Sequence, residues 1–214
     1  MDGNRRWAKV RGLPAIAGHR AGYETLKQAL VWAKRANLET VYLYAFSTEN
    51  WQRTDEEVNQ LMDLFRSALA ADADFFLRED IKLTFIGDLK RLAPDLQEKM
   101  KRLERETVQN KSMHAVFAVS YGGRIELVAA AEQLRQTSVP ITEASFAATL
   151  WTNGLPDPEL IIRTGGQHRL SNFLLWQCAY AELVFLDVLW PDLTEDVFRH
   201  ALQSAHPDER RFGR

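Results

Sequence analysis

Val41-Tyr42-Leu43-Tyr44-Ala45-Phe46-Ser47-Thr48-Glu49-Asn50-Trp51-Gln52-Arg53 is the stretch on which the fold turns. Its first six residues form a short aromatic and aliphatic run, which reads as a strand. The residues after Phe46 are polar apart from Trp51, so the strand delivers a loop rich in hydrogen-bonding groups. The same pattern recurs at Leu160–Arg163, which runs into Thr164-Gly165-Gly166-Gln167-His168-Arg169-Leu170-Ser171-Asn172. Further strand-like runs are Ile81–Ile86, His114–Val119 and Leu183–Phe185.

Helical periodicities lie between these runs. Leu26, Ala29, Leu30 and Ala33 share one apolar face, and Val58, Leu61, Met62, Phe65 and Leu69 share another. Thr54 followed by Glu57 reads as a capping box for the second. Leu96, Met100 and Leu103 mark a third helix, with Ile125–Leu134 and Val197–Leu202 marking two more. Alternating strands and helices predict an α/β fold, a mostly parallel central sheet flanked by helices. Ligands of such sheets bind where loops leave the carboxyl ends of the strands. Linkers, low-complexity tracts and repeats are lacking, so residues 1–214 read as a single domain.

Composition narrows the function classes. The 214 residues are 46% hydrophobic and 26% charged, with 27 basic against 29 acidic side chains and a net charge of -2. That balance excludes binding of nucleic acid by bulk charge, while a local anion site stays open. The apolar stretch Phe173–Leu186 is interrupted by Gln177 and Glu182 and is shorter than the roughly 20 residues a spanning helix needs. The start of the chain does not read as a signal peptide. A lone cysteine, Cys178, makes no internal disulfide and suits a cytoplasmic protein.

Two clusters carry the candidate chemistry. In the loop after Leu160–Arg163, Gly165 and Gly166 let backbone amides approach a ligand. Arg163, Arg169, Thr164 and Ser171 add cations and hydroxyls, the ingredients of a phosphate cradle. Ordinary turns also use Gly-Gly beside arginine. Near the N-terminus, Asp2-Gly3-Asn4-Arg5-Arg6-Trp7 precedes Gly18-His19-Arg20-Ala21-Gly22. A basic run of this kind is commonly a solvated face. A carboxylate beside arginines and a histidine also suits Mg²⁺ and a diphosphate that it bridges. Neither the P-loop nor the dinucleotide fingerprint is present.

Together these segments, with Tyr44–Trp51, Tyr121-Gly122-Gly123-Arg124, Arg169–Gln177, Tyr180-Ala181-Glu182 and Leu189-Trp190-Pro191-Asp192, resemble the cis-prenyltransferases, in order and over nearly the whole chain. The bacterial branch that makes undecaprenyl diphosphate is the nearest likeness. The resemblance implies Mg²⁺-dependent condensation of isopentenyl diphosphate onto an allylic diphosphate, farnesyl diphosphate, to give a long polyprenyl diphosphate used as a cell-wall lipid carrier.

Residue by residue, the resemblance implies Asp2 and Asn50 as catalytic, and Asp2 with Glu182 as metal carboxylates. It implies Gly3, Asn4, Arg5, Arg6, Trp7 and His19 around the allylic diphosphate, and Arg163, Arg169 and Ser171 around isopentenyl diphosphate. Ser47, Glu49, Trp51 and Arg53 would form a mobile lid. Arg211 and Gly213 match an Arg-x-Gly tail that reaches the partner's site in a homodimer, and the lipid product implies peripheral membrane contact. The product needs an apolar tunnel between sheet and helices; Met113, Ala115, Phe117 and Val119 put one strand face toward such a tunnel, as would Val58, Met62 and Phe65 from a helix, and an ordinary core also accounts for most of these.

Three departures stand out. The family usually carries a hydrophobic strand ahead of Asp-Gly-Asn, and here Met1 precedes Asp2. Ala15 stands where an arginine touching the allylic diphosphate is common, and Gln167 replaces an acidic residue after Gly-Gly. Rival readings are a non-catalytic subunit of a heteromeric prenyltransferase and a phosphopeptide- or nucleotide-binding module. Asp2, Arg163, Arg169, Ser171 and Glu182 argue against the first. Consumption of isopentenyl diphosphate with Mg²⁺ discriminates the second.

Overall fold

The computed structural model describes residues 1–205. Two helices, α1 (Asn4–Val10) and α2 (Ala15–Arg35), precede β1 (Thr40–Ser47), which runs into a 3-10 turn at Thr48–Gln52. Then follow α3 (Asp55–Ala71), α4 (Ala73–Arg78), β2 (Ile81–Ile86), α5 (Pro94–Thr107) and β3 (Met113–Tyr121). The chain continues through α6 (Gly123–Arg135), α7 (Glu143–Ala147), β4 (Leu160–Arg163), β5 (Glu182–Phe185) and α8 (Glu195–Ser204). All the sequence-predicted strands are present. Thr54 caps α3 by accepting from the Glu57 amide; the Glu57 carboxylate turns instead to arginines at the site described below.

The strand pairs are parallel, as expected, but they form two sheets: β1-β3-β2 and β4-β5. β3 is central and, apart from His114 and Ser120, apolar, as suits a parallel strand covered on both faces. Its alternation divides the core. Met113, Ala115, Phe117 and Val119 pack with Leu30, Leu83, Met100 and Leu103. Val116, Ala118 and Tyr121 face Ile161, Phe173 and Leu174.

Among the described residues β1 pairs with β3 alone and β4 with β5 alone, so each offers an open edge. These edges line a cleft of about 980 Å³ that also takes in Asp2, His19, Arg53, Arg163 and Ser171. The expected tunnel lining is different. Met113, Ala115, Phe117 and Val119 are buried in packed core together with Met62, and Val58 and Phe65 pack against it. Along the cleft, the apolar lining comes from residues such as Leu30, Leu61, Ile161 and Phe198.

Candidate functional site

The end of β1 is re-aimed before it delivers its loop. Register shifts flank Phe46, and Tyr44 and Phe46 pair with the consecutive residues Ala118 and Val119. Such a bulge bends a strand and redirects the side chains that follow. Asn50 and Arg53, from the following turn, line the cleft. The Asn50 Oδ1 accepts from the Ser47 amide at 3.0 Å, which fixes the turn.

Asp2 is held from both sides of its peptide. Its N–H donates to Thr164 Oγ1 at 3.0 Å, that hydroxyl donates to the Asp2 carbonyl at 2.9 Å, and the Trp190 amide donates to the same carbonyl at 3.0 Å. Arg163 then joins the two sequence clusters. One arm, Nη2, donates to Asp2 Oδ2 at 3.0 Å; the other, Nη1, donates to Ser171 Oγ at 2.7 Å and to the Arg169 carbonyl. A guanidinium does this because its donors diverge in a rigid fork. Arg6 closes the same wall, donating to the Gly165 carbonyl at 2.6 Å and lying 3.7 Å from Asp2 Oδ1. Gly165 has φ +87°, and a Cβ there would lie 2.5 Å from Arg6 Nη2, so this contact requires glycine.

A second group lines the same cleft. α1 lies directly on α2: a Cβ on Gly18 would be 2.0 Å from the Asn4 carbonyl, and one on Gly22 would be 2.2 Å from Asn4 Oδ1. This close approach brings Asn4 and His19 to one wall. Both Asn4 Oδ1 and His19 Nε2 are buried without a hydrogen-bond partner, which leaves both able to meet a ligand or water. The His19 pKa is lowered to about 4, chiefly by burial, with Arg53 and Arg5 contributing and Glu57 opposing. His19 is therefore neutral near pH 7. Glu57 holds Arg53 at 2.8 Å and Arg5 at 3.5 Å, keeping two guanidinium groups together against their mutual repulsion.

Other predicted residues sit elsewhere. Trp7 donates to Asp192 Oδ1 at 2.6 Å, and Arg11 stacks on its ring at 4.3 Å, so its indole fastens α1 to the Trp190–Asp192 turn. Trp51 donates to Ser120 Oγ at 3.0 Å and packs edge-on against Phe46. Glu49 accepts from Asn172 at 2.9 Å. The expected lid is thus tethered at two points. Arg169, by contrast, lines the cleft; it is exposed and donates to Gln167 Oε1 at 2.7 Å. Because that partner is a neutral amide, the departure at position 167 leaves the Arg169 charge uncompensated by it.

Glu182 pairs with Leu160 at the start of the β4–β5 ladder, three pairs from Arg163, or roughly 10 Å along the strand. It lines the cleft but is not beside Arg163, which grips Asp2. The register is the reason. Asp2 is held by Arg163 and Thr164 at the end of β4, whereas Glu182 opens β5. Arg211 and Gly213 lie outside the described residues. Sequence reasoning passed over Thr164 as the anchor of Asp2, Glu57 as the counter-ion of two arginines, and Tyr44, whose hydroxyl donates to the Ser171 carbonyl at 3.4 Å. The strand-to-loop position of Thr164 was the only available signal.

A magnesium ion fits this wall through Asp2. Among the described residues no cluster of three or more His, Cys, Asp or Glu is arranged to hold a metal. Magnesium, however, is commonly bound by one or two carboxylates together with substrate phosphates and water. The Asp2 side chain is 38% exposed at the cleft, so a carboxylate is within reach of such a ligand.

A family model described as "Putative undecaprenyl diphosphate synthase" matches residues 1–213. The chain belongs to this prenyltransferase family. It is 43% identical to a farnesyl-diphosphate-specific ditrans,polycis-undecaprenyl-diphosphate synthase of Yersinia pseudotuberculosis serotype I (strain IP32953), with all of this chain and 87% of that protein covered. The relative of the same description from Pseudomonas putida is 44% identical, over 100% of this chain and 88% of its own. Among solved members, lavandulyl diphosphate synthase from Lavandula x intermedia, in complex with dimethylallyl diphosphate, superposes with a TM-score of 0.94. It is 35% identical, covering 100% of this chain and 95% of its own. A probable undecaprenyl diphosphate synthase from Campylobacter jejuni gives a TM-score of 0.83 at 33% identity, covering 91% and 93%. These prenyltransferases share the α/β fold with parallel strands and flanking helices described above. Among the described residues no helix is long and apolar enough to cross a membrane.

Proposed function

We propose that this chain condenses isopentenyl diphosphate onto an allylic diphosphate, farnesyl diphosphate, and repeats the step to build a long polyprenyl diphosphate, undecaprenyl diphosphate, for a cell-wall lipid carrier. One observation carries the reading. Arg163 bridges Asp2 to the Arg169–Ser171 loop on one wall, while unpartnered Asn4 and His19 lie with Arg53 along the same cleft. Two sets of anion-binding groups thus line one cleft.

In this reading Arg163, Arg169 and Ser171 hold isopentenyl diphosphate. Asn4, Arg5, Arg6, His19 and Arg53 hold the allylic diphosphate, and Gly3, at φ +111° and close against Leu189, shapes the turn that leads into them. The allylic carbon–oxygen bond breaks, a carbon–carbon bond forms to the isopentenyl unit, and that unit loses a proton. Charge gathers on the departing diphosphate, where fixed cations favour the transition state. Asp2 would hold Mg²⁺, which when bound neutralises diphosphate charge. Asn50 fixes the turn that presents Arg53. A neutral His19 donates or accepts without adding fixed charge to the pocket.

The same proposal covers a single domain and a cytoplasmic homodimer in which the Arg211–Gly213 tail serves the partner's site, with membrane contact through the lipid product. The test is to incubate the protein with labelled isopentenyl diphosphate, farnesyl diphosphate and Mg²⁺ and to size the extracted products. Long polyprenyl products support the proposal; absence of any elongation overturns it.

A further inference from the structure

We infer that Asn172 is a positioning residue that latches the Thr48–Gln52 turn to the Arg169–Ser171 loop and so fixes the spacing of the two sets of anion-binding groups. The inference rests on reading the cleft as a two-diphosphate site.

Every polar group that Asn172 can offer beyond its own amide is engaged, and in different directions. Its backbone carbonyl accepts from the Gly123 amide at 2.7 Å, and its Oδ1 accepts from the Arg124 amide at 2.8 Å. These two donors open α6 and have no earlier turn of helix to bond. Its Nδ2 donates to Glu49 Oε1 at 2.9 Å, in the turn that carries Asn50 and Arg53. Burial works to raise the Glu49 pKa, but hydrogen bonds led by Asn172 outweigh it and leave the carboxyl below its ordinary value.

The backbone is committed as well. Asn172 has φ +66° and Ser171 has φ +50°. Asparagine tolerates this left-handed region better than most residues, which explains its presence here. Gly122 completes the junction. A Cβ there would lie 2.6 Å from Thr48 Oγ1 and 2.8 Å from Asn172 Nδ2, so turn, loop and helix entry meet with no space for a side chain. Ser171, one residue earlier, places its hydroxyl on Arg163. A shift of Asn172 would therefore move the partner of Arg163 and release Glu49 together.

The decisive variant is Asn172→Asp. It keeps the size, the tolerance of positive φ and the acceptor for the Arg124 amide, but it sets a carboxylate against Glu49. Amide hydrogen exchange in residues 47–53 should rise about tenfold, and KM for isopentenyl diphosphate should rise about tenfold, the loss of one hydrogen bond to a charged group. Glu49→Gln added to Asn172→Asp restores a donor–acceptor pair and should return both quantities to within about threefold of wild type. Should Asn172→Asp fail to fold, Asn172→Gly keeps the backbone and should loosen the same segment. Unchanged exchange in either variant overturns the latch, as does a double variant no better than Asn172→Asp. The exchange measurement needs no substrate. A wild-type protein that leaves isopentenyl diphosphate unconsumed therefore refutes the diphosphate reading and leaves the latch to be judged on exchange alone.

Discussion

Arg163 shows how much one side chain decides in this cleft. Its two arms reach Asp2 and Ser171 at 3.0 and 2.7 Å, a divergence that a single ammonium cannot copy. Arg163→Lys should keep the charge yet lose about 2–3 kcal/mol, which is roughly a hundredfold in kcat/KM for isopentenyl diphosphate. Steady-state kinetics at saturating farnesyl diphosphate measures it, and a drop below about threefold would show that charge alone suffices. His19 gives a pH prediction. Its pKa is about 4 in the folded chain against an ordinary 6.5, so the unfolded chain binds the proton more readily. Its contribution is complete above pH 6.5 and is lost as pH falls toward 4, by at most roughly 3 kcal/mol. His19→Gln should flatten the fall of Tm over that range; comparing it with wild type separates it from His114, which burial and Lys82 also lower. An unchanged slope would remove His19 from the account. The roles of these residues were partly legible, because charge and motif pointed to them. Trp7 was not: its partner, Asp192, lies 185 residues away, and no local signal reports such a contact.

At the scale of elements, the seating of α1 on α2 positions the allylic wall. Gly18 and Gly22 stand one turn apart on α2, and the Asn4 carbonyl would lie 2.0 Å from a Cβ on the first. Gly→Ala in an ordinary helix interior gains about 1 kcal/mol of helix propensity. Here Gly18→Ala must push backbone aside, an overpacking cost of about 1–3 kcal/mol. The variant should therefore melt lower than wild type and bind farnesyl diphosphate more weakly as Asn4 is displaced. A higher melting temperature with unchanged binding would contradict the packing argument. The strands themselves were readable because each is a short apolar run bounded by polar loops. The sheet division and the place of Glu182 were not, since pairing and register depend on contacts distant in sequence. The choice between tunnel and core was hidden for a related reason: alternating apolar residues on β3 read the same whether they face a cavity or, as here, packed core.

The whole molecule is organised around β3, buried on both faces and bonded to a neighbour on each side. Its amides should exchange most slowly. Those of β4, which has a single parallel partner among the described residues, should exchange faster by an order of magnitude or more, as local opening follows burial and pairing. Equal protection of β3 and β4 would show that the two sheets behave as one unit in solution. The cleft between them, with Asp2 at its head, is where the proposed chemistry is concentrated. Asp2 is the carboxylate that Arg163 grips and that a diphosphate-bound metal would reach. The measurement that tests the central claim most directly is therefore turnover of isopentenyl diphosphate by wild type and by Asp2→Ala, at saturating farnesyl diphosphate and Mg²⁺, with matched melting curves. Wild type should elongate the primer, and a folded Asp2→Ala protein should lose at least a thousandfold in kcat, about 4 kcal/mol. Near-normal turnover by the folded variant would contradict the account.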